Sequence, residues 1–78
     1  MKKVLAISGS DSSGCSGIQR DLRTITDLGS HPFCAVSAIT TQTVSEVLGV
    51  SGICPDLVRF QIRTSLQSGA EAIKIGIL

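Results

Sequence analysis

Aromatic residues are almost absent from this chain, which has two phenylalanines, no tryptophan and no tyrosine in 78 residues. Nucleic-acid surfaces combine clustered basic residues with aromatic stacking platforms. With a net charge of +1 and so few aromatics, nothing here points to such a surface. Cysteine is scarce and odd in number: Cys15, Cys34 and Cys54 are widely spaced, with no CxxC pair, and the single His31 has no cysteine beside it. Neither zinc nor a disulfide framework fits that spacing, and no metal site is expected. Reduced thiols in a cytoplasmic protein are the simplest account, with Cys34 assigned to packing within an apolar run. No apolar stretch approaches the roughly 18–20 residues of a membrane span. The run Val4-Leu5-Ala6-Ile7 after Met1-Lys2-Lys3 breaks at once into Ser8-Gly9-Ser10-Asp11. It therefore reads as a first strand and not as a signal peptide. Internal repeats, linkers and low-complexity segments are also missing. At this length one small domain is the ceiling, with a core contributing on the order of 3–5 kcal/mol.

What is present alternates strand and helix. Residues Lys3 to Ser8 read as a buried strand, and Gly17 to Leu28 as a helix closed by Gly29. Phe33 to Thr40 reads as a second strand. Pro55 to Ser68 reads as a second helix, with Pro55 and Asp56 suited to its first turn. Ala70 to Leu78 reads as a third strand. The order βαβαβ predicts a parallel α/β sheet of the three-layer type with right-handed crossovers. Residues 44–53, with β-branched side chains and two glycines, fit either a short hairpin or flap, or a plain surface connection. A third strand with nothing to flank it leaves an open edge. The expectation is that further material, or another chain in a homo-oligomer, covers the sheet.

Ligands of open parallel sheets sit beyond the carboxyl ends of the strands. Gly9-Ser10-Asp11, Thr41-Gln42-Thr43 and Gly76-Ile77-Leu78 converge there by topology. The first of these loops is neither GxxxxGK[ST] nor GxGxxG. Taken alone it fits either a turn before a helix with Ser16 as N-cap, or a close approach of backbone to a small polar ligand. On a helical wheel, Ile18, Leu22, Ile25 and Leu28 form one apolar stripe. Asp21 falls inside it, while Arg20, Arg23 and Asp27 lie opposite. An inward carboxylate needs a partner, either a backbone N–H or lysine in the core, or a donor on a ligand. Gln42 at a strand end can donate and accept together, which suits the edge of a nitrogen heterocycle. Asp11 is read as an Asx turn holding the loop, and Lys74 as a strand-end charge facing solvent or pairing with a carboxylate.

The segment SGSDSSGCSGIQRDL, residues 8–22, resembles AGSDxSGGAGIQADL, the signature of the hydroxymethylpyrimidine and phosphomethylpyrimidine kinases. Ile39 to Gln42 and Ala72 to Leu78 extend the resemblance. These kinases are transferases of thiamine biosynthesis in the ribokinase-like superfamily. The resemblance implies the N-terminal part of a ribokinase-like fold, about a third of such an enzyme. It implies ATP-dependent phosphoryl transfer, with Mg²⁺, to 4-amino-5-hydroxymethyl-2-methylpyrimidine and then to its monophosphate. It carries substrate binding to Gly9, Ser16, Asp21, Gln42 and Ile77. Cys15 and Ser16 stand where the family usually has Gly-Ala, and Ile77 where it usually has Met. No catalytic residue is implied, because the family's base lies in a later GxGD- or GTGC-type segment. ATP and Mg²⁺ belong to the full-length family and have no site encoded in this chain. A pyridoxal-type kinase shares the layout, and a non-catalytic pyrimidine-binding or assembly module is the remaining alternative.

Overall fold

The computed structural model describes residues 1–76. In chain order the elements are β1 (Lys3–Asp11), α1 (Gly17–Asp27), β2 (His31–Gln42), β3 (Val47–Gly52), α2 (Pro55–Gln67) and β4 (Ala72–Ile75). They build one sheet in the order β3-β2-β1-β4. Strand β1 is parallel to both β2 and β4, as the alternating pattern predicts. Residues 44–53 do not form a plain connection. Val47–Gly52 turns back as β3 and pairs antiparallel with β2, giving a hairpin and making the sheet mixed.

Period-two alternation along the strands decides which helix covers which face. Leu5, Ile7 and Ala35 point to α2, where Phe33, Ile62 and Ala70 pack against them. Ala6 points the other way, onto Ile18 and Ile25 of α1, with Val4, Leu22 and Val36 around it. The two helices therefore lie on opposite faces. The parallel strands run β2-β1-β4, so the chain order reverses at β1. Such a reversal opens a crevice at the carboxyl ends of the strands, because the helices on either side lead away from each other.

Several boundaries move from the expected ones, and each shift has a local cause. Strand β1 runs three residues past Ser8, because Ser10 and Asp11 pair with Ile39 and Thr40 after a register shift. Between Ser8↔Val36 and Ser10↔Ile39, β2 carries one extra residue, which is a β-bulge. Gln61 of α2 holds the bulged strand. Its Oε1 accepts from the Val36 N–H at 3.0 Å, and its Nε2 donates to the Val36 carbonyl at 3.1 Å. Leu28 lies outside the apolar stripe. It caps α1 with φ near −83° and is 79% exposed, since the helix has already ended at Asp27. Cys34 is exposed and not packed, because it faces the α1 side of β2 beyond the cover that α1 provides. Ile77 falls outside the described residues. No helix among the described residues is long and apolar enough to cross a membrane.

Candidate functional site

A cavity of about 700 Å³ opens at the carboxyl ends of β1 and β2, at the point where strand order reverses. Gly9, Ser16, Asp21 and Gln42 all line it. These are four of the five positions anticipated as ligand-binding, and three separate elements bring them together. Val47 of the hairpin also reaches the cavity, so β3 borders it on the β2 side.

The strand-to-helix loop is built around Asp11, which is only 3% exposed. Its Oδ1 accepts from the N–H and hydroxyl of Ser13, at 2.8 and 2.7 Å. Its Oδ2 accepts from the N–H and hydroxyl of Ser16, at 2.8 and 2.7 Å. These donors stabilise the anion. The Ser16 hydroxyl contributes most and the Ser13 hydroxyl next; burial opposes them, and the carboxyl is held at about 2, below its ordinary 3.8. A carboxylate so saturated with donors is a structural hub and a poor proton acceptor, which fits the Asx-turn reading.

The sequence Ser16-x-x-Gln19 has the form of a capping box, yet its two side chains are used elsewhere. Ser16 occupies the N-cap position without a side-chain cap bond, because its hydroxyl donates to Asp11. Gln19 reaches back to the end of β1: its Oε1 accepts from the Asp11 N–H at 2.8 Å, and its Nε2 donates to the Ser10 hydroxyl at 2.8 Å. Gln19 was not anticipated as part of the site architecture. The capping-box spacing was the available signal, and the buried Asp11 is what redirects it. Arg23 ties the other side of the loop through a 2.7 Å bond to the Gly14 carbonyl.

Asp21 lies on the inward side of α1, as the helical wheel predicts, with its side chain 12% exposed. Its Oδ1 is bound by Lys74 Nζ at 2.6 Å. Lys74 sits opposite Ala6 in register and so shares the α1 face, while Ile73 and Ile75 face the α2 side. The pairing alternative anticipated for Lys74 is the one realised. The second oxygen, Oδ2, is buried and has no hydrogen-bond partner among the described residues. An orphaned buried carboxylate oxygen is costly, on the order of 1–3 kcal/mol or more. Gly76 keeps this corner open. A Cβ there would stand 2.5 Å from the Ser8 hydroxyl and 3.7 Å from Asp21 Oδ2.

Gln42 is oriented by its neighbours across the end of the sheet. Its Nε2 donates to Thr40 Oγ1 at 2.7 Å, and Thr40 Oγ1 itself donates to the Ser10 carbonyl at 2.8 Å. Ser12 clasps the Gln42 backbone, accepting from its N–H at 2.9 Å. The amide oxygen of Gln42 forms no hydrogen bond among the described residues. One polar wall of the cavity thus presents an anionic acceptor, Asp21, and a second presents an amide, Gln42.

The sequence and the fold of this chain match those of known proteins. The family model for phosphomethylpyrimidine kinase matches residues 11–78. The chain belongs to the phosphomethylpyrimidine kinase family. A hydroxymethylpyrimidine/phosphomethylpyrimidine kinase of Mycobacterium leprae is 43% identical over 77 residues, covering 97% of this chain and 28% of that protein. The chain thus spans little more than a quarter of such a relative. Among solved structures, the phosphomethylpyrimidine kinase of Clostridium difficile 630 superposes with a TM-score of 0.92 at 35% identity, over 97% of this chain and 36% of that one. The pyridoxal kinase of Staphylococcus aureus, solved with AMP-PCP and pyridoxal, superposes with a TM-score of 0.89 at 38% identity, over all of this chain and 30% of that one. The ribokinase-like α/β fold anticipated from the sequence is the fold of these kinases.

No group of three or more His, Cys, Asp or Glu side chains is placed to hold a metal ion among the described residues. The two carboxylates at the cavity are engaged, Asp11 by four donors and Asp21 by Lys74.

Proposed function

We propose that this chain forms the acceptor-binding part of a kinase that phosphorylates 4-amino-5-hydroxymethyl-2-methylpyrimidine and its monophosphate with ATP. The observation that carries this reading is Asp21, which lines the same cavity as Gln42 and whose buried Oδ2 has no hydrogen-bond partner among the described residues. An aminopyrimidine offers an exocyclic N–H to such a carboxylate. Its ring nitrogen and amino edge match an amide that can donate and accept. Lys74 holds the other carboxylate oxygen, which fixes the direction in which Oδ2 points. Gly9 lines the cavity with backbone, and Ser16 and Gly76 border it with little bulk.

In phosphoryl transfer the protein's work is to position the acceptor oxygen and to stabilise charge on the transferred group. The residues described here serve the first task. ATP and Mg²⁺ enter through the family alone, and no step is assigned to them on these side chains. The three cysteines are free thiols, in keeping with a cytoplasmic protein.

Calorimetric titration of the full-length protein with the hydroxymethylpyrimidine tests the reading. The variant Asp21→Asn keeps the shape and removes the charge, so affinity should fall roughly tenfold to a hundredfold, the worth of one charge-assisted bond. Asp21→Ala should fall at least as far. Unchanged affinity in both variants rejects the site. Pyridoxal titrated in parallel decides between the two kinase readings, and ATP consumption separates a kinase from a binding module.

A further inference from the structure

Residues two apart on a strand share a face, so Thr40 and Gln42 of β2 stand side by side, and both line the cavity. Ser12 fixes the Gln42 backbone: its hydroxyl accepts from the Gln42 N–H at 2.9 Å and donates to the Gln42 carbonyl at 3.2 Å. The freedom left to Gln42 is in its side chain. A primary amide is nearly symmetrical in shape, and a half-turn about its last bond exchanges donor for acceptor. The bonding at Thr40 removes that choice. The Ser10 carbonyl can only accept, so the Thr40 hydroxyl spends its one proton there, at 2.8 Å. Toward Gln42 the same oxygen can then only accept, and Nε2 is the end that meets it, at 2.7 Å. Turning the amide over would either set two acceptors together or strip the Ser10 carbonyl of this donor.

We infer that Thr40 is a specificity-determining positioning residue, which fixes the order of acceptor and donor that Gln42 offers to a ligand. What remains of the amide is Oε1 and the second Nε2 proton, in one order only. A 4-aminopyrimidine presents an amino N–H beside a bare ring nitrogen, a donor and then an acceptor. Its 4-oxo isostere presents the reverse in the same outline, a carbonyl beside a ring N–H. An amide free to turn over serves both compounds. A fixed amide serves the first and sets like groups against each other in the second. Asp21 Oδ2, an acceptor as well, adds to the same preference. This deepens the acceptor-binding reading and rests on it, with Gln42 as the group that reads the ring.

The test is calorimetric titration of the full-length protein with 4-amino-5-hydroxymethyl-2-methylpyrimidine and with its 4-oxo analogue, the second read by competition against the first. The quantity of interest is the ratio of the two affinities. Thr40→Val keeps the outline of the side chain and removes the hydroxyl, so the preference for the amino compound should fall roughly tenfold, the worth of one mismatched hydrogen bond. Thr40→Ser keeps the hydroxyl and should keep the ratio of the unmodified protein. A general loosening of the strand would weaken both ligands alike and leave the ratio unmoved. In the ligand-free protein, nuclear magnetic resonance should show the Gln42 side-chain protons exchanging with solvent faster in Thr40→Val than in the other two proteins. Equal exchange in all three, or a ratio unchanged by Thr40→Val while the aminopyrimidine still binds, overturns the role of Thr40 and leaves the acceptor reading standing. Failure of the unmodified protein to bind the aminopyrimidine overturns the acceptor reading, and this inference with it.

Discussion

Asp11 shows how much one residue can organise. Four donors from two serines converge on its carboxylate, and together they fold the loop that brings Gly9 and Ser16 to one cavity. The Asx-turn character was legible in the sequence, because a short acid followed by serines offers local donors. The second half of the hub was not, since the bonds to Ser16 close only once α1 has taken its place. A carboxyl held at about 2 against an ordinary 3.8 stabilises the folded state while it is ionised. That contribution is complete above about pH 4 and is lost as pH falls through about 2. In Asp11→Asn the amide nitrogen would face serine donors, so the thermal midpoint should fall at pH 7. The gap between the two proteins should stay constant from pH 7 down to about 4 and close toward pH 2. A gap independent of pH across that window would show that the charge contributes nothing.

Among the elements, the join between β1 and α1 sets the most demanding steric condition. Gly17 opens the helix at φ near +62°, and a Cβ on it would collide with the Gly9 carbonyl. The sequence marks Gly9, Gly14 and Gly17 alike, and only the folded chain separates them. Gly14 has φ near +77° but nothing within 4 Å of an added Cβ, and Gly9 has ordinary contacts with Ala38. Gly17→Ala should therefore cost about 1–3 kcal/mol for backbone strain alone, and more for the collision. Gly14→Ala carries strain without collision and serves as the control. Denaturant midpoints should rank unmodified protein, then Gly14→Ala, then Gly17→Ala, with equal losses in the two variants excluding the close approach. The strands and helices themselves were legible because their periods are strong and their ends bear Gly or Pro. The hairpin at β3 was legible only as one of two alternatives, because its pairing depends on cross-strand register; the bulge in β2 was not legible, because it depends on register and on Gln61 gripping Val36.

For the molecule as a whole, the unbalanced feature is the β4 side of the sheet. Among the described residues β4 pairs only with β1, and Ile73 and Ile75 are 51% and 63% exposed on the α2 face. Leu66 of α2, 47% exposed, adds to the apolar surface that the two helices leave bare. Parallel strands are normally covered on both faces. A sheet with a free apolar edge strand pairs with whatever strand is offered. This is the surface expected of a chain that spans 28% of a relative such as the Mycobacterium leprae kinase. The segment 1–78 prepared alone should therefore self-associate as its concentration rises, and Ile73→Lys with Ile75→Lys should return it toward monomer in sedimentation velocity. In the full-length protein the same pair of lysines should instead lower the thermal midpoint, because there the two isoleucines would be buried. A segment that stays monomeric at high concentration, together with a full-length protein indifferent to the lysines, would mean that β4 is a true edge and that nothing packs on its α2 face.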